Sequence, residues 1–253
     1  MRELEENERA RRIAMLIDGD NAQPTLISNM LAETGKYGQV TIRRIYGDWT
    51  TANMSGWKDT LQTNAIQPIQ QFRYTIGKNA TDSAMIIDCM DILYEGVVDG
   101  FCLVSSDSDY TRLATRIREK GVFVMGIGKK MTPRAFVSAC DVFVYSENLL
   151  PDVDFNRQAK SKKSAAGVEA TAPDLVPLLR KGFDLAVQDD GWAFLGVLGQ
   201  HLRQLDPSFD PRTYGYKQLS HLIKAQTDVF KMKVNKEQKG TAIISVTLKE
   251  GSE

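Results

Sequence analysis

The sequence lacks any apolar run long enough to cross a membrane. Its longest uninterrupted apolar segments, such as residues 101–104, fall far short of the roughly 20 residues that a spanning helix needs. The N-terminal segment MRELEENERARR is densely charged and does not resemble a secretion signal. We therefore expect a cytoplasmic protein that makes no contact with membranes.

Histidine and cysteine are also scarce. Both histidines, His201 and His221, lie in the last quarter of the chain, which excludes Ser-His-Asp and Cys-His catalytic groups from the first 150 residues. The three cysteines, Cys89, Cys102 and Cys140, are odd in number and lie far apart among apolar residues. We interpret them as reduced core residues. Chemistry in the first 150 residues must then use carboxylates, hydroxyls, lysines or a metal.

The chain has no net charge, because 32 basic residues balance 32 acidic ones. No overall attraction to a polyanion follows, although a local basic patch would suffice for one. Hydrophobic residues at 42% and charged residues at 25% are close to the averages of folded soluble proteins. A length of 253 residues favours one domain of ordinary size plus a smaller one.

Short apolar segments alternate with helix-period segments up to residue 150. Strands are predicted at residues 13–17, 40–46, 66–72, 101–104, 122–127 and 142–145, and helices at 23–33, 55–64, 81–94, 108–120 and 132–139. This alternation predicts an α/β domain over residues 1–150, with a parallel sheet covered by helices on both faces.

The composition changes after residue 150. Residues 151–172 lose periodicity and become rich in Lys, Ser, Ala and Gly, which is typical of a flexible linker. Residues 173–253 contain helical patterns at 174–187, 192–205 and 216–225, followed by two β-like segments at 230–234 and 242–248. Three helices followed by a two-stranded ribbon predict a small C-terminal winged helix-turn-helix.

Acidic residues follow the predicted strands of the first domain. Asp18 ends the first strand, Asp107 and Asp109 follow the fourth, and Asp82 lies at the start of the helix after the third. The carboxyl ends of parallel strands share one edge, where open α/β sheets bind ligands, so we expect these carboxylates to converge. Such carboxylates repel one another unless a cation neutralises them, and an all-oxygen ligand set suits Mg²⁺ or Mn²⁺. Taken singly, each could instead be a helix N-cap.

Individual side chains of the predicted site have different expected roles. Asn21 would orient a carboxylate, Lys78 would contact the scissile phosphate or tune a carboxylate, and Asp109 would bind the metal through water or act as a base. Lys129 and Lys130 of GIGKK would contact a nucleic-acid backbone, although a strand-exit turn explains that segment without a ligand. A metal-activated water attacking a phosphoryl group is the chemistry of metal-dependent nucleases.

The motifs LIDGDN, YGDW, GKNATDSAMIIDCMD, FCLVSSDSDYTRL and GIGKKMTPRAF lie between residues 11 and 150. Together they resemble the bacterial LabA-like NYN domains of the PIN-like ribonuclease superfamily. The resemblance implies a Rossmann-like three-layer parallel sheet and a Mg²⁺ or Mn²⁺ site at Asp18, Asp82, Asp107 and Asp109. It also implies single-stranded RNA as the substrate class, and it carries an expectation of homodimerisation that no feature of this sequence indicates.

The segments GWAFLGVLGQHL, FDPRTYGYKQLSHLI and FKMK resemble an OST-HTH/LOTUS domain, a winged-helix module that binds RNA. The third predicted helix is the element that a helix-turn-helix presents to nucleic acid. Residues on or just before this helix are therefore the expected RNA contacts: Tyr214, Tyr216, Lys217, His221 and Lys224. A solvated helix face with structural tyrosines is the alternative.

Three functions remain open at this point. The leading one is a metal-dependent ribonuclease whose winged helix tethers or selects single-stranded RNA. The second is a non-catalytic RNA-binding adaptor. The third is a phosphohydrolase of the haloacid dehalogenase kind, because Asp18 and Asp20 have the spacing of its nucleophile and acid.

Overall fold

The computed structural model of the chain describes residues 10–72, 80–150, 175–236 and 242–249. Contacts divide the chain into two compact units, Met1–Pro151 and Asp152–Glu253, and each is described by itself. The predicted linker at residues 151–172 lies outside the described ranges. Among the described helices, none combines the length and the apolar character that a bilayer crossing requires.

The described part of the first unit contains a six-stranded, fully parallel sheet. Its strands lie in the order β3-β2-β1-β4-β5-β6, so the strand order reverses between β1 and β4. The strands are β1 (Arg12–Asp18), β2 (Gln39–Gly47), β3 (Gln67–Gln70), β4 (Gly100–Val104), β5 (Phe123–Gly128) and β6 (Val142–Tyr145). The helices are α1 (Ile27–Thr34), α2 (Lys58–Asn64), α3 (Ala80–Glu95), α4 (Thr111–Glu119) and α5 (Arg134–Ala139). The predicted α/β fold class is confirmed.

Strand β1 shows why the sheet has helices on both faces. Ala14 and Leu16 belong to the core cluster that contains buried residues of α3, α4 and α5. Ile13, Met15 and Ile17 alternate with them and belong to a second cluster that contains residues of α1. Burial of each of the Leu, Ile and Met side chains among these contributes about 1.5–3 kcal/mol, so burial on both faces stabilises β1 at the centre of the sheet.

Some element boundaries differ from the sequence predictions. The predicted strand at 66–72 shortens to Gln67–Gln70 at the edge of the sheet, where Pro68 is tolerated because an edge strand needs fewer backbone donors. The predicted helix at 108–120 divides into a 3₁₀ turn, Ser108–Tyr110, and α4. Asp107 is the N-cap of that turn, and its carboxylate accepts a hydrogen bond of 2.9 Å from the backbone N–H of Asp109.

The second unit contains three helices and a three-stranded sheet among its described residues. Its elements are α6 (Leu175–Ala186), β7 (Ala193–Phe194), α7 (Leu195–Leu205), α8 (Leu219–Ala225), β8 (Phe230–Lys236) and β9 (Ala242–Leu248). The sequence predicts a helix from residue 192, but residues 193 and 194 pair with β9, so the sheet has the antiparallel order β7-β9-β8. The third predicted helix begins at Leu219 instead of residue 216. The arrangement is a winged helix-turn-helix.

Candidate metal centre

Three carboxylates meet at the carboxyl ends of the central strands, where the strand order reverses. Each of Asp82, Asp107 and Asp109 offers an oxygen, and these oxygens all lie within 4.8 Å of one another. Asp82 lies in the first turn of α3, and the other two lie in and beside the 3₁₀ turn that follows β4. Asp82 and Asp107 are half-buried, whereas Asp109 is exposed. The group is therefore open to solvent on one side and fits a hard divalent cation.

The environment of Asp82 favours a bound cation. Burial raises the pKa of Asp82, and the negative charges of Asp107, Asp109 and Asp20 raise it further. The buried hydroxyl of Tyr110 opposes this by donating a hydrogen bond of 2.7 Å to the Asp82 carboxylate. A cation at this position would offset both the burial and the repulsion.

Asp18, which the sequence predicts as a metal ligand, is not one of the three members of this group, although its charge interacts with that of Asp82. It is only 1% exposed, and its carboxylate accepts hydrogen bonds from the Asn21 amide at 2.6 Å and the Ser105 hydroxyl at 2.9 Å. The backbone N–H of Asp20 donates a third bond of 3.1 Å. Burial raises the pKa of Asp18, the charge of Asp82 adds to this, and the donors oppose it. The Asn21 amide thus contacts a carboxylate, and its orienting role stays a prediction.

Ser105 is a residue of the site that the sequence analysis missed. Its hydroxyl donates to Asp18 and accepts a bond of 3.1 Å from the backbone N–H of Asp107. It therefore connects the end of β1 to the loop that carries two of the three clustered carboxylates. The available signal was its place as the first residue of SSDSD, directly after a buried strand.

The end of β5 borders the same region. The backbone N–H of Lys129 donates to the Ser106 hydroxyl at 2.9 Å, and that of Lys130 donates to the Glu147 carboxylate at 2.9 Å. A small recess next to this edge is lined by Asn21, Ser106 and Lys129 among others. GIGKK is thus a strand-exit turn, and Lys129 is joined to the loop that carries Asp107 and Asp109, whereas Lys130 is joined to the segment after β6. Lys78 lies outside the described residues.

Two further aspartates of this unit make structural contacts. Asp48 accepts hydrogen bonds from Thr50 and from the side chain of Gln70, and it thereby holds the loop after β2. Asp88, on α3, pairs with Arg44 and accepts a hydrogen bond from the Tyr46 hydroxyl. Every cysteine of the chain lies in the described ranges, and all are buried and free, as predicted.

The predicted RNA contacts of the second unit fall into two groups. Tyr214 and Tyr216 are half-buried and pack against the core of the unit, and the Tyr214 ring lies 6.1 Å from that of Phe209. Lys217, His221 and Lys224, on or just before α8, are exposed. The tyrosine rings are thus engaged in packing, and the exposed part of the predicted surface consists of cationic and imidazole groups.

Comparisons with known proteins agree with this architecture. A model of the NYN domain matches residues 12–147, and a model of the OST-HTH/LOTUS domain matches residues 168–240. A crystal structure of a protein of unknown function from Vibrio parahaemolyticus is 19% identical, with a TM-score of 0.46 over 55% of this chain and 94% of that chain. A solution structure of an uncharacterized protein from Nitrosomonas europaea is 32% identical, with a TM-score of 0.28 over 36% of this chain and 91% of that chain.

Those two structural likenesses are too distant to add to the assignment, and no curated protein matches the chain. The matches to the family models are stronger evidence. The NYN match covers more than half of the chain, and it spans β1 to β6 together with the three clustered carboxylates. This chain belongs to the NYN domain family of the PIN-like nuclease superfamily and carries an OST-HTH/LOTUS domain after it.

Proposed function

We propose that this protein is a metal-dependent ribonuclease that cleaves single-stranded RNA and uses its winged-helix domain to tether or select the substrate. The observation that carries the proposal is the convergence of Asp82, Asp107 and Asp109 at the strand-order reversal of an NYN domain. The fusion to an OST-HTH/LOTUS domain supports RNA as the substrate.

The carboxylates suit a Mg²⁺ or Mn²⁺ ion better than a softer metal, because the described cluster contains oxygen ligands and neither histidine nor cysteine. Asp82, Asp107 and Asp109 would hold the ion, with Asp18 buried next to them as a further negative charge. When bound, such an ion supplies an activated water and stabilises charge on a phosphoryl oxygen.

The protein's own residues have separate tasks in this proposal. Asp109 is the exposed carboxylate of the three, so it is the one that can accept a proton from solvent-accessible water. Tyr110 and Ser105 hold Asp82 and Asp18 in place through hydrogen bonds. Lys129 and Lys130 contact the RNA backbone beside the site, and Lys78 contacts the scissile phosphate. The products carry a 5′-phosphate and a 3′-hydroxyl.

The second domain raises the local concentration of RNA for a catalytic domain that binds RNA weakly on its own. A binding module in the same chain presents its ligand to the catalytic domain at an effective concentration on the order of millimolar. RNA held through Lys217, His221 and Lys224 would thereby meet the metal centre even where the NYN domain alone binds it poorly.

The test is incubation of the full chain with a labelled, unstructured RNA in Mg²⁺, in Mn²⁺ and in chelator. We expect cleavage that needs the metal and that Asp107→Asn abolishes. The control is Asp91→Asn, which removes an exposed carboxylate from the far end of α3. Intact RNA in every condition, together with an RNA gel shift that Asp107→Asn leaves unchanged, would contradict the nuclease and favour an RNA-binding adaptor.

A second substrate distinguishes the phosphohydrolase alternative from the ribonuclease. That chemistry needs Asp18 to attack a phosphate, whereas the Asp18 carboxylate is buried and accepts bonds from three donors. Turnover of a small aryl phosphate that is lost in Asp18→Asn would favour it over the ribonuclease.

A further inference from the structure

The three-stranded sheet of the winged-helix unit has two unlike faces. Ala193, Val246 and Phe230 point into the core and are at most 5% exposed. Side chains alternate along a strand, so their neighbours Phe194, Ser245, Thr247 and Lys231 belong to the opposite, outer face, on which Ser245 is only 3% exposed. Pairing places Phe194 and Lys233 on either side of Ser245 in one row, and Lys231 opposite Thr247 in the next.

The outer face carries aromatic rings together with positive charge. The ammonium of Lys233 lies 4.0 Å from the centroid of the Trp192 ring, and Phe194 is 40% exposed. The turn that carries Trp192 is held by two hydrogen bonds. The Thr247 hydroxyl donates one of 2.7 Å to the Gly191 carbonyl, and the Asp190 carboxylate accepts one of 3.0 Å from the backbone N–H of Trp192.

An open apolar groove of about 400 Å³ adjoins Phe194. It is lined by Phe194, Leu195, Gly196, Ile243 and Ile244, at the start of α7 and beside β9. A methyl group added at Gly196 would meet no atom within 4 Å, so the groove stays open above this glycine. An exposed ring next to a groove of this kind can accept the flat faces of nucleobases.

We propose that the outer face of this sheet is a stacking surface for single-stranded RNA. The inference rests on the proposed function in taking RNA as the ligand, and it names the surface that binds it. Bases stack on Phe194 and enter the adjoining groove, while Lys231 and Lys233 neutralise phosphates. Single strands fit because their base faces are accessible, whereas a duplex buries them.

The face of α8 lacks the aromatic part of such a surface. Its exposed groups are Lys217, His221 and Lys224, whereas the nearby rings of Tyr214 and Tyr216 pack against the core. Helix α8 can therefore attract the RNA backbone, while the sheet face provides stacking as well as charge. The two surfaces are separable by mutation.

The sharpest variant is Gly196→Leu. It fills the groove, and it exchanges glycine for a better helix former within α7, so the fold is preserved. Phe194→Ala removes the exposed ring. Lys231→Gln with Lys233→Gln removes two charges from the sheet, and Lys217→Gln with Lys224→Gln removes the same number beside α8. Lys181→Gln with Arg203→Gln, at exposed positions of α6 and α7, is the matched control.

Binding of a fluorescein-labelled 12-nucleotide RNA to the full chain is measured by anisotropy in chelator, so that cleavage cannot interfere. We expect Gly196→Leu and Phe194→Ala each to raise Kd about 5- to 150-fold, the range of one lost base stack. The Lys231/Lys233 pair should reduce the slope of log K against log salt by about 1.4. RNA should also quench a tryptophan emission component that Trp192→Phe lacks.

The outcomes distinguish the two proposals. If the wild-type chain binds the RNA and all sheet variants bind it equally well, the stacking surface is refuted while the RNA-binding role stands. Loss confined to the Lys217/Lys224 pair would refute it in the same way and place binding at α8. If the wild-type chain binds no RNA, or binds a duplex more tightly than a single strand, the choice of ligand itself is wrong.

Discussion

Replacing Asp107 by asparagine should make the protein more stable in chelator and less stable in Mn²⁺. The variant keeps its N-cap, because the asparagine oxygen can still accept the Asp109 N–H. It loses one of three negative charges whose oxygens lie within 4.8 Å of one another. The same substitution would then stabilise the chelated protein and abolish its cleavage, which is the behaviour of a centre that holds a cation.

Coulomb's law gives the size of the effect. Two unit charges 4.8 Å apart repel by about 0.9 kcal/mol in water and about 3.5 kcal/mol at an effective dielectric constant of 20. Asp107 takes part in two such pairs. Because Asp109 is exposed to water, the repulsion energy in its pairs is closer to the lower of the two values. We expect relief of about 1–3 kcal/mol at low salt, which corresponds to roughly 2–4 °C in Tm for each kcal/mol in a domain of this size.

Saturating metal should reverse the order of the two proteins. A ligand at 100 times its Kd stabilises the folded state by about 2.7 kcal/mol, and a variant with one carboxylate fewer binds the ion more weakly. The assay is thermal unfolding in chelator and across a Mn²⁺ titration, with Asp91→Asn as the matched loss of a surface charge. A variant that is less stable than wild type in chelator, or that gains as much from Mn²⁺, would refute the reasoning.

Further predictions concern the surroundings of the cluster. The pKa of Asp82 is raised in the fold, so the folded state takes up a proton more readily than the unfolded state. The free energy of unfolding of the chelated protein should therefore increase as pH falls from neutral through this pKa. Urea unfolding over a pH series should show a smaller increase in Asp82→Asn. Tyr110→Phe removes a donor to Asp82, which should cost about 1 kcal/mol and move the acid limb of the cleavage profile to higher pH; an unchanged profile would contradict this. Gly128→Ala places a methyl group 2.5 Å from the Ser105 carbonyl oxygen and should destabilise the first unit by about 1–3 kcal/mol, so an unchanged urea midpoint would show that β5 moves freely there.

The sequence was sufficient for the sheet and for the meeting of the acids. Apolar runs such as residues 13–17 mark strands that are buried on both faces, and parallel strands bring their carboxyl ends to one edge. That rule predicts that Asp82 and Asp107 come close although 25 positions separate them, and the structure brings them together. Which distant residues meet at the edge of a parallel sheet is thus determined by the sequence pattern of each strand together with the topology of the sheet.

The depth of each side chain could not be predicted in the same way. Asp18 ends a strand, as Asp107 nearly does, yet Asn21 and Ser105 cover it, and this depends on two loops that meet only in the folded sheet. Strand β7 has two residues and pairs with a strand about 50 positions later, so it carries no periodic signal of its own. The sequence alone places Tyr214 on a surface or in a core equally well, because a tyrosine ring with its polar hydroxyl is compatible with either environment.

The pairing of β1 with β4 also sets the order in which the protein can become active. Ile13 lies opposite Gly100, and the bond from Ser105 to Asp18 joins residues 87 positions apart. Strand β1 can therefore pair on this side only after a segment far along the chain has been made. Contacts of this range form late, because the loop between them must close first. At about 5–20 residues per second, a ribosome needs on the order of 5–20 s to make the first hundred or so residues. Under the proposed function, a nascent chain therefore has no cleavage centre until β4 and the loop after it have been made.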